Sequence, residues 1–142
     1  VGSGPERERL SQEHPDVHFA GRVSDEQLAR LYENARAVVV PSFEEFGIVA
    51  VEAQASGTPV VAPTHGGAAE TVRDGVTGVL LEWVRPETIA QALQHEVFET
   101  PDVGELRRHA ERFSSEAFRT RLVEAIEHLT GMTVAADMPI AA

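Results

Sequence analysis

Two glutamates flank the predicted start of a helix in the segment 41–52. Glu44 lies just before this helix, which is predicted to open at Gly47, and Glu52 lies about five residues into it, roughly 7 Å along the axis. The free N–H groups of a helix start suit an anion such as a diphosphate, and Gly47 allows a ligand to approach the backbone closely. Because carboxylates accept hydrogen bonds from paired hydroxyls, this layout favours a diphosphate with a sugar on one side and a ribose on the other.

The same glutamates also have a purely structural interpretation. Acidic residues are common in the first turns of helices because they complement the helix dipole, and on spacing alone this interpretation is preferred. Glu52 is the more unusual residue, since it stands between Val51 and Ala53 on a mostly apolar helix. An unpaired carboxylate would be costly in such a place. The pattern by itself leaves both interpretations open.

A second loop, 64–67, ends in two glycines and precedes a short predicted helix. It could form another backbone cradle, although a Gly-Gly pair is more often only a turn. His65 could touch a ligand, but a solvated loop histidine is the commoner case. Neither a Walker A lysine motif nor a Gly-x-Ser-x-Gly elbow occurs. We predict no metal site, because the chain has no cysteine and its other histidines stand in polar helical or strand-edge contexts.

The elements that would position these residues alternate along the chain. Short apolar runs predict strands at 17–20, 37–40, 59–62 and 78–81, with residues 1–2 as the end of an earlier strand. Helices are predicted at 6–12, from a capping box at Ser24 to Ala35, and at 47–56, 68–73, 86–99, 103–113 and 115–129. This alternation is typical of parallel βαβ units and an α/β fold. Ligands of such sheets bind at the carboxyl ends of the strands, which directs attention to the loops after Ala20, Val40, Ala62 and Leu81.

Composition limits the possible classes of protein. The 142 residues carry 12 Lys+Arg against 23 Asp+Glu, a formal net charge of −11, and 42% are hydrophobic. These values indicate one soluble globular domain and not a disordered chain. The acidic balance disfavours nucleic acid and anionic membranes as partners, and no apolar run approaches the roughly 20 residues of a membrane span. The chain has no initiator Met, so we expect it to be part of a longer protein.

The segment 41–81, PSFEEFGIVAVEAQASGTPVVAPTHGGAAETVRDGVTGVLL, resembles family 4 of the retaining glycosyltransferases, which have the GT-B fold. Glu44 and Glu52 match the E-x7-E motif of that family. The resemblance extends from residue 1 to about Leu129, with its blocks in the family's order. Segments 44–57 and 111–122 are most similar to bacterial mannosyltransferase-type members that use GDP-mannose.

The resemblance implies a role for each matching residue near the helix start. Glu44 would be the catalytic residue, in contact with the donor sugar hydroxyls. Phe46, Gly47 and Ile48 would offer backbone groups to the sugar and the diphosphate, and Glu52 would bind the ribose hydroxyls.

Four further donor-binding positions follow from the same resemblance. Arg22 and Val23, after Gly21, would meet the nucleobase largely through their backbone, and Gly66 and Gly67 would shape the loop beside the donor. Family members transfer the sugar with retention and without a metal or other cofactor. Cationic side chains and helix N-termini stabilise the leaving diphosphate in their place.

The resemblance implies that residues 1–130 are a partial nucleotide-sugar-binding domain, a Rossmann-like doubly wound sheet without its first strand and helix, followed by a tail at 131–142. The Arg and Lys that clamp the diphosphate in the family, and the acceptor-binding domain, would lie upstream. All 12 basic residues here are arginines. The missing half, in the same or an adjacent chain, is therefore an expected partner, and the chain alone is expected to be inactive.

The function implied is transfer of a hexose, with mannose the narrower expectation, from a nucleotide-diphosphate sugar to an acceptor that the chain does not identify. A non-enzymatic module that binds a nucleotide sugar or a partner chain, left by truncation or a split gene, stays open as the alternative. The expected location is cytoplasmic, with peripheral attachment to the inner membrane through the missing domain left open.

Overall fold

The structure, a computed structural model, describes residues 1–131 and residue 133. Its centre is a three-stranded parallel sheet in the order β1 (Val38–Val39), β2 (Val60–Pro63) and β3 (Gly78–Leu81). Val38 pairs with Val60, and Val61 pairs with Val79. All four residues of β2 are buried, because this strand has neighbours on both edges and helices on both faces. The α/β fold class and the parallel sheet are confirmed.

Seven α-helices surround this sheet within the described residues. They are α1 (Arg7–Glu13), α2 (Asp25–Glu33), α3 (Ile48–Ala55), α4 (Gly67–Thr71), α5 (Pro86–Ala92), α6 (Val103–Glu111) and α7 (Ser115–Thr130). The capping box predicted at the start of α2 is confirmed, since Ser24 Oγ accepts from the Gln27 N–H and the Gln27 side chain accepts from the Ser24 N–H. Such reciprocal bonds satisfy donors that the first helical turn leaves free.

The core has two halves because successive residues of β2 point to opposite faces of the sheet. Val60 and Ala62 pack with the buried alanines of α3 and α4, and Val61 packs with Ala92 and Phe98 on the other face. Alanines on α3 let this helix lie close to the sheet. The helices on both faces fix where the loops leave β1, β2 and β3.

Three predicted elements are wrong, and the first is the strand end at residues 1–2, where the structure has no strand. Residues 17–20 do not form a strand, and just after them the Gly2 N–H donates to Gly21 O at 2.7 Å. A strand needs a full ladder with a neighbour, which this segment lacks among the described residues. Helix α5 ends at Ala92 and not near residue 99, since a 3₁₀ helix at Glu96–Phe98 follows it and places Phe98 in the core.

The tail assigned to residues 131–142 lies outside the described residues, apart from positions 131 and 133. In the described part of the chain no helix is long and apolar enough to cross a membrane.

Candidate functional site

The loops that follow β1 and β2 meet at the carboxyl edge of the sheet. Because the strands are parallel, both loops leave from the same edge. The Gly67 N–H donates to the Glu44 carbonyl oxygen at 2.6 Å. The structure therefore brings together the two segments, 44–48 and 66–67, that the sequence predicts to surround one ligand.

Glycine is required where these loops touch. A Cβ atom on Gly47 would lie 2.6 Å from the Gly67 carbonyl carbon, and one on Gly67 would lie 2.3 Å from the Phe46 carbonyl carbon. Gly47 also has a left-handed φ of 67°, and Gly66 has φ 81° with ψ −175°, conformations that side chains disfavour. The close approach predicted at Gly47 is thus made by the backbone of Gly67.

The first turn of α3 offers backbone donors beside this contact. The Val51 N–H donates to Gly47 O at 3.2 Å and closes the first turn, so the N–H groups before it have no partner within the helix. Phe46 and Ile48 flank the turn with side chains that are 75% and 60% exposed. A helix start with free N–H groups can bind an anion, as the sequence predicts for this position.

Glu52 stands on the side of α3 that faces α2. Its residue is exposed, and the Tyr32 hydroxyl donates to Glu52 Oε2 at 3.2 Å. The apolar neighbours of Glu52 in the sequence suggested a costly, unpaired carboxylate. In the structure this carboxylate is instead exposed and hydrogen-bonded. A cleft of about 250 Å³ opens beside Glu52 and Tyr32.

Tyr32 is a site residue that the sequence analysis missed. Partial burial, followed by the charge of Glu52, its hydrogen bond and the charge of Glu44, raises the pKa of Tyr32 to about 12. The hydroxyl is therefore protonated at neutral pH and acts as a donor. The charges of Glu52 and Glu44 therefore both act on the pKa of Tyr32. The available signal was that Tyr32 is the only tyrosine of the chain, one helical turn after Leu28.

An exposed aromatic side chain in the first loop was missed as well. Phe43 is 64% exposed and its ring stacks on His65, with centroids 6.3 Å apart and planes 21° apart. This contact joins the two loops a second time, through side chains. His65 therefore has a ring partner in addition to its solvent exposure.

Arg22 and Val23 stand just before α2, and each has contacts of its own there. The Arg22 Nε–H donates to Ser3 Oγ at 3.2 Å, and Val23 lines a cleft of about 440 Å³ with Gln27 and Leu31. The cleft beside Glu52 is lined by the other face of α2, since residues about two apart on a helix point to opposite sides. The cleft beside Val23 and the cleft beside Glu52 thus lie on different faces of α2.

Neither of the joined loops carries an arginine or a lysine. No arginine occurs between Arg36 and Arg73, and Arg73 is held in an ion pair with Glu105. In the described residues no group of three or more His, Cys, Asp or Glu side chains is placed to hold a metal ion. His14 and His18 do stand at the H-x-x-x-H spacing, but α1 ends at Glu13, so no helix presents them together.

An open parallel α/β sheet with glycine-containing loops at the carboxyl ends of its strands is the architecture of many nucleotide-binding domains. Residues 1–96 match the family described as "Glycosyl transferases group 1", and the chain belongs to this family. Its structural neighbours are GT-B glycosyltransferases, as the sequence resemblance implied.

Two solved structures illustrate the likeness. Sucrose-phosphate synthase from Thermosynechococcus elongatus is 32% identical with a TM-score of 0.74, over 92% of this chain and 37% of that one. Anabaena HepE, solved in complex with UDP-glucose, is 27% identical with a TM-score of 0.62, over 88% of this chain and 36% of that one.

Curated relatives include the D-inositol 3-phosphate glycosyltransferase of Rhodococcus opacus. It is 42% identical over 119 residues, which are 80% of this chain and 27% of the relative. The chain thus spans about a quarter of the length of the curated relatives it matches.

Proposed function

We propose that this chain is the donor-binding portion of a retaining glycosyltransferase that transfers a hexose from a nucleotide-diphosphate sugar. The observation that carries the proposal is the Gly67–Glu44 hydrogen bond of 2.6 Å. It joins the loop that carries Glu44 to the loop after β2, beside the open first turn of α3, and Glu52 follows on the same helix. A sugar, a diphosphate and a ribose would need partners of these three kinds.

In this proposal Glu44 contacts the donor sugar, whose charge grows in the transition state. Backbone groups of Phe46, Gly47 and Ile48 bind the sugar and the diphosphate. Glu52 binds the ribose hydroxyls. A carboxylate has about four lone-pair sites, so the bond from Tyr32 orients Glu52 and still leaves acceptors for ribose.

The leaving diphosphate needs positive charge that the joined loops do not supply. The start of α3 contributes a partial positive charge, and we infer that an Arg/Lys clamp comes from an upstream portion, in the same or an adjacent chain. The clamp takes the role that a divalent metal has in other transferases, so transfer is metal-independent. The chain alone then binds donor weakly and transfers nothing.

The donor and the acceptor follow from the relatives. Complexes of Anabaena HepE with UDP and UDP-glucose support a uridine donor over the GDP-mannose of the narrower resemblance. The relatives named D-inositol 3-phosphate glycosyltransferase support inositol phosphate as acceptor of the whole protein. We propose these as the first compounds to test.

Titration calorimetry with UDP-glucose, UDP and GDP-mannose tests the proposal. We expect binding of at least one of them, weakened by Glu52→Ala and unchanged by Glu99→Ala, an exposed glutamate on the 3₁₀ turn. If the chain joined to its upstream portion binds none of these three compounds, the proposed donor site is refuted. Sugar transfer by the chain alone would refute the need for an external clamp, and donor binding without transfer by the joined protein would favour the non-enzymatic module.

A further inference from the structure

Two buried polar side chains converge on one backbone carbonyl behind the site. Gln54 of α3 is fully buried and His109 of α6 is 5% exposed. Gln54 Nε2 donates to the Thr71 carbonyl oxygen at 2.9 Å, and His109 Nε2 lies 3.1 Å from the same oxygen. Gln54 Nε2 also donates to Ala50 O at 2.9 Å. We call Gln54, Thr71 and His109 the Thr71 hub.

The carbonyl oxygens around Gln54 and His109 determine which side-chain nitrogens of the hub carry hydrogen. Both neighbours of Gln54 Nε2 are carbonyl oxygens, so the amide nitrogen and not the amide oxygen must face them. His109 Nε2 also faces a carbonyl and must carry a hydrogen. Burial lowers the pKa of His109, with Arg112 and Arg73 acting in the same direction against the Thr71 carbonyl and Glu105. At neutral pH the ring is therefore neutral, with its hydrogen on Nε2.

Two buried polar atoms of the hub lower the stability of the fold. Gln54 Oε1 and His109 Nδ1 are buried without a hydrogen-bond partner within the part of the chain that the structure describes. Leaving such atoms unpaired is unfavourable, and an apolar side chain of similar size at either position would avoid it. What an apolar side chain could not supply is an N–H donor for the Thr71 carbonyl.

Thr71 is the last residue of α4, and Gly67, the first residue of α4, belongs to the loop beside the proposed donor site. Helix α4 runs only from Gly67 to Thr71, too short to be stable without tertiary contacts. Gly67 at its start donates to Glu44 O, and Gln54 and His109 hold Thr71 at its end. A rigid helical turn between these points transmits the position of Thr71 to Gly67.

We propose that Gln54 and His109 are positioning residues. By holding the Thr71 carbonyl from α3 and α6, they keep the Gly67 N–H hydrogen-bonded to the Glu44 carbonyl oxygen, a contact that we call the seat. Neither side chain is among the residues assigned to the donor. The importance of this seat for the donor rests on the proposed function, but the seat itself can be measured without any ligand.

Amide hydrogen exchange of Gly67 measures the seat directly. The Val40 N–H, which donates to Val61 O at 2.8 Å, reports global opening in the same spectrum. In Gln54→Met and His109→Met, which keep bulk but lose the donor, we expect Gly67 exchange to rise roughly tenfold relative to Val40. His109→Gln, which restores a side-chain N–H, should return the ratio to within about threefold of the wild type.

The matched controls are Gln94→Met and His14→Met, both at exposed positions, and they should leave the ratio unchanged. If the Met variants unfold, Gln54→Asn serves instead, because its amide is one methylene too short to reach Thr71. A Gly67-to-Val40 ratio that stays at the wild-type value in the folded variants would overturn the proposal. Failure of His109→Gln to restore the ratio would also overturn it, since loss of packing would then explain the change.

Calorimetry with UDP separates this proposal from the donor-site proposal. If the wild type binds UDP, we expect the Met variants to bind it about three- to tenfold more weakly and His109→Gln to recover most of the loss. Unchanged UDP affinity in variants with a faster Gly67 exchange would show that the seat does not serve the donor. Absence of UDP, UDP-glucose and GDP-mannose binding by the wild-type chain joined to its upstream portion counts against the donor site, and the exchange ratio still decides the positioning role.

Discussion

Replacing Gly67 by alanine should disrupt the contact between the two loops. The added Cβ would lie 2.3 Å from the Phe46 carbonyl carbon and 2.5 Å from the Gly47 nitrogen, far inside van der Waals contact. Both neighbours are backbone atoms, so no side-chain rotation can relieve the overlap. The loops must separate, and the bond of 2.6 Å from Gly67 N–H to Glu44 O is lost with them.

The size of the effect follows from two contributions. Overpacking of this kind costs about 1–3 kcal/mol, and loss of one backbone hydrogen bond adds about 0.5–1.5 kcal/mol. We expect Gly67→Ala to lower the free energy of unfolding by about 2–4 kcal/mol, measured as the shift in the urea midpoint at constant m-value.

Gly4→Ala is the matched control, because a Cβ there would have no atom within 4 Å. Its free energy of unfolding should stay within about 0.5 kcal/mol of the wild type. An equally small change for Gly67→Ala would refute the backbone contact between the loops and the site geometry that depends on it.

Three further predictions concern single side chains. Glu52→Ala should weaken donor binding by roughly 1.5–3 kcal/mol, since it removes hydrogen bonds to a charged acceptor; an affinity within about twofold of the wild type by calorimetry would exclude the ribose role. Glu44→Ala, in the protein joined to its upstream portion, should lower turnover more than affinity; steady-state kinetics with a raised Michaelis constant and unchanged turnover would reverse that assignment. The lowered pKa of His109 means that the unfolded chain binds a proton more readily than the folded one, so the free energy of unfolding should fall as the pH drops below about 6.5 towards the folded pKa. Urea unfolding across this range should show a weaker pH dependence in His109→Gln, and equal slopes would contradict the assignment.

Local patterns in the sequence were sufficient for the fold class and most elements. Apolar runs predict β1, β2 and β3 to within two residues, because a strand between two layers of helices must be apolar throughout. The capping box of α2 is equally local, since Ser24 and Gln27 satisfy each other's backbone. The resemblance through Glu44 and Glu52 led to a glycosyltransferase family, which the match of residues 1–96 shows.

Local patterns failed where a distant partner decides the structure. Residues 17–20 have the composition of a strand but no ladder among the described residues. Phe98 continues the apolar pattern of α5, yet it enters the core from a separate 3₁₀ turn. In both cases the deciding factor is which neighbour is in reach, and composition does not specify that.

The sequence by itself determined most of the elements, the family and the presence of Glu44 and Glu52 around a helix start. The tertiary structure alone decided that Gly67 binds the Glu44 backbone, that Tyr32 binds Glu52, and that Arg22 binds Ser3. These contacts join residues 19 to 23 positions apart and depend on how parallel strands bring successive loops to one edge. The spacing of apolar residues indicates whether each residue is buried or exposed. A functional site depends on which residues, distant in sequence, lie next to each other in the fold.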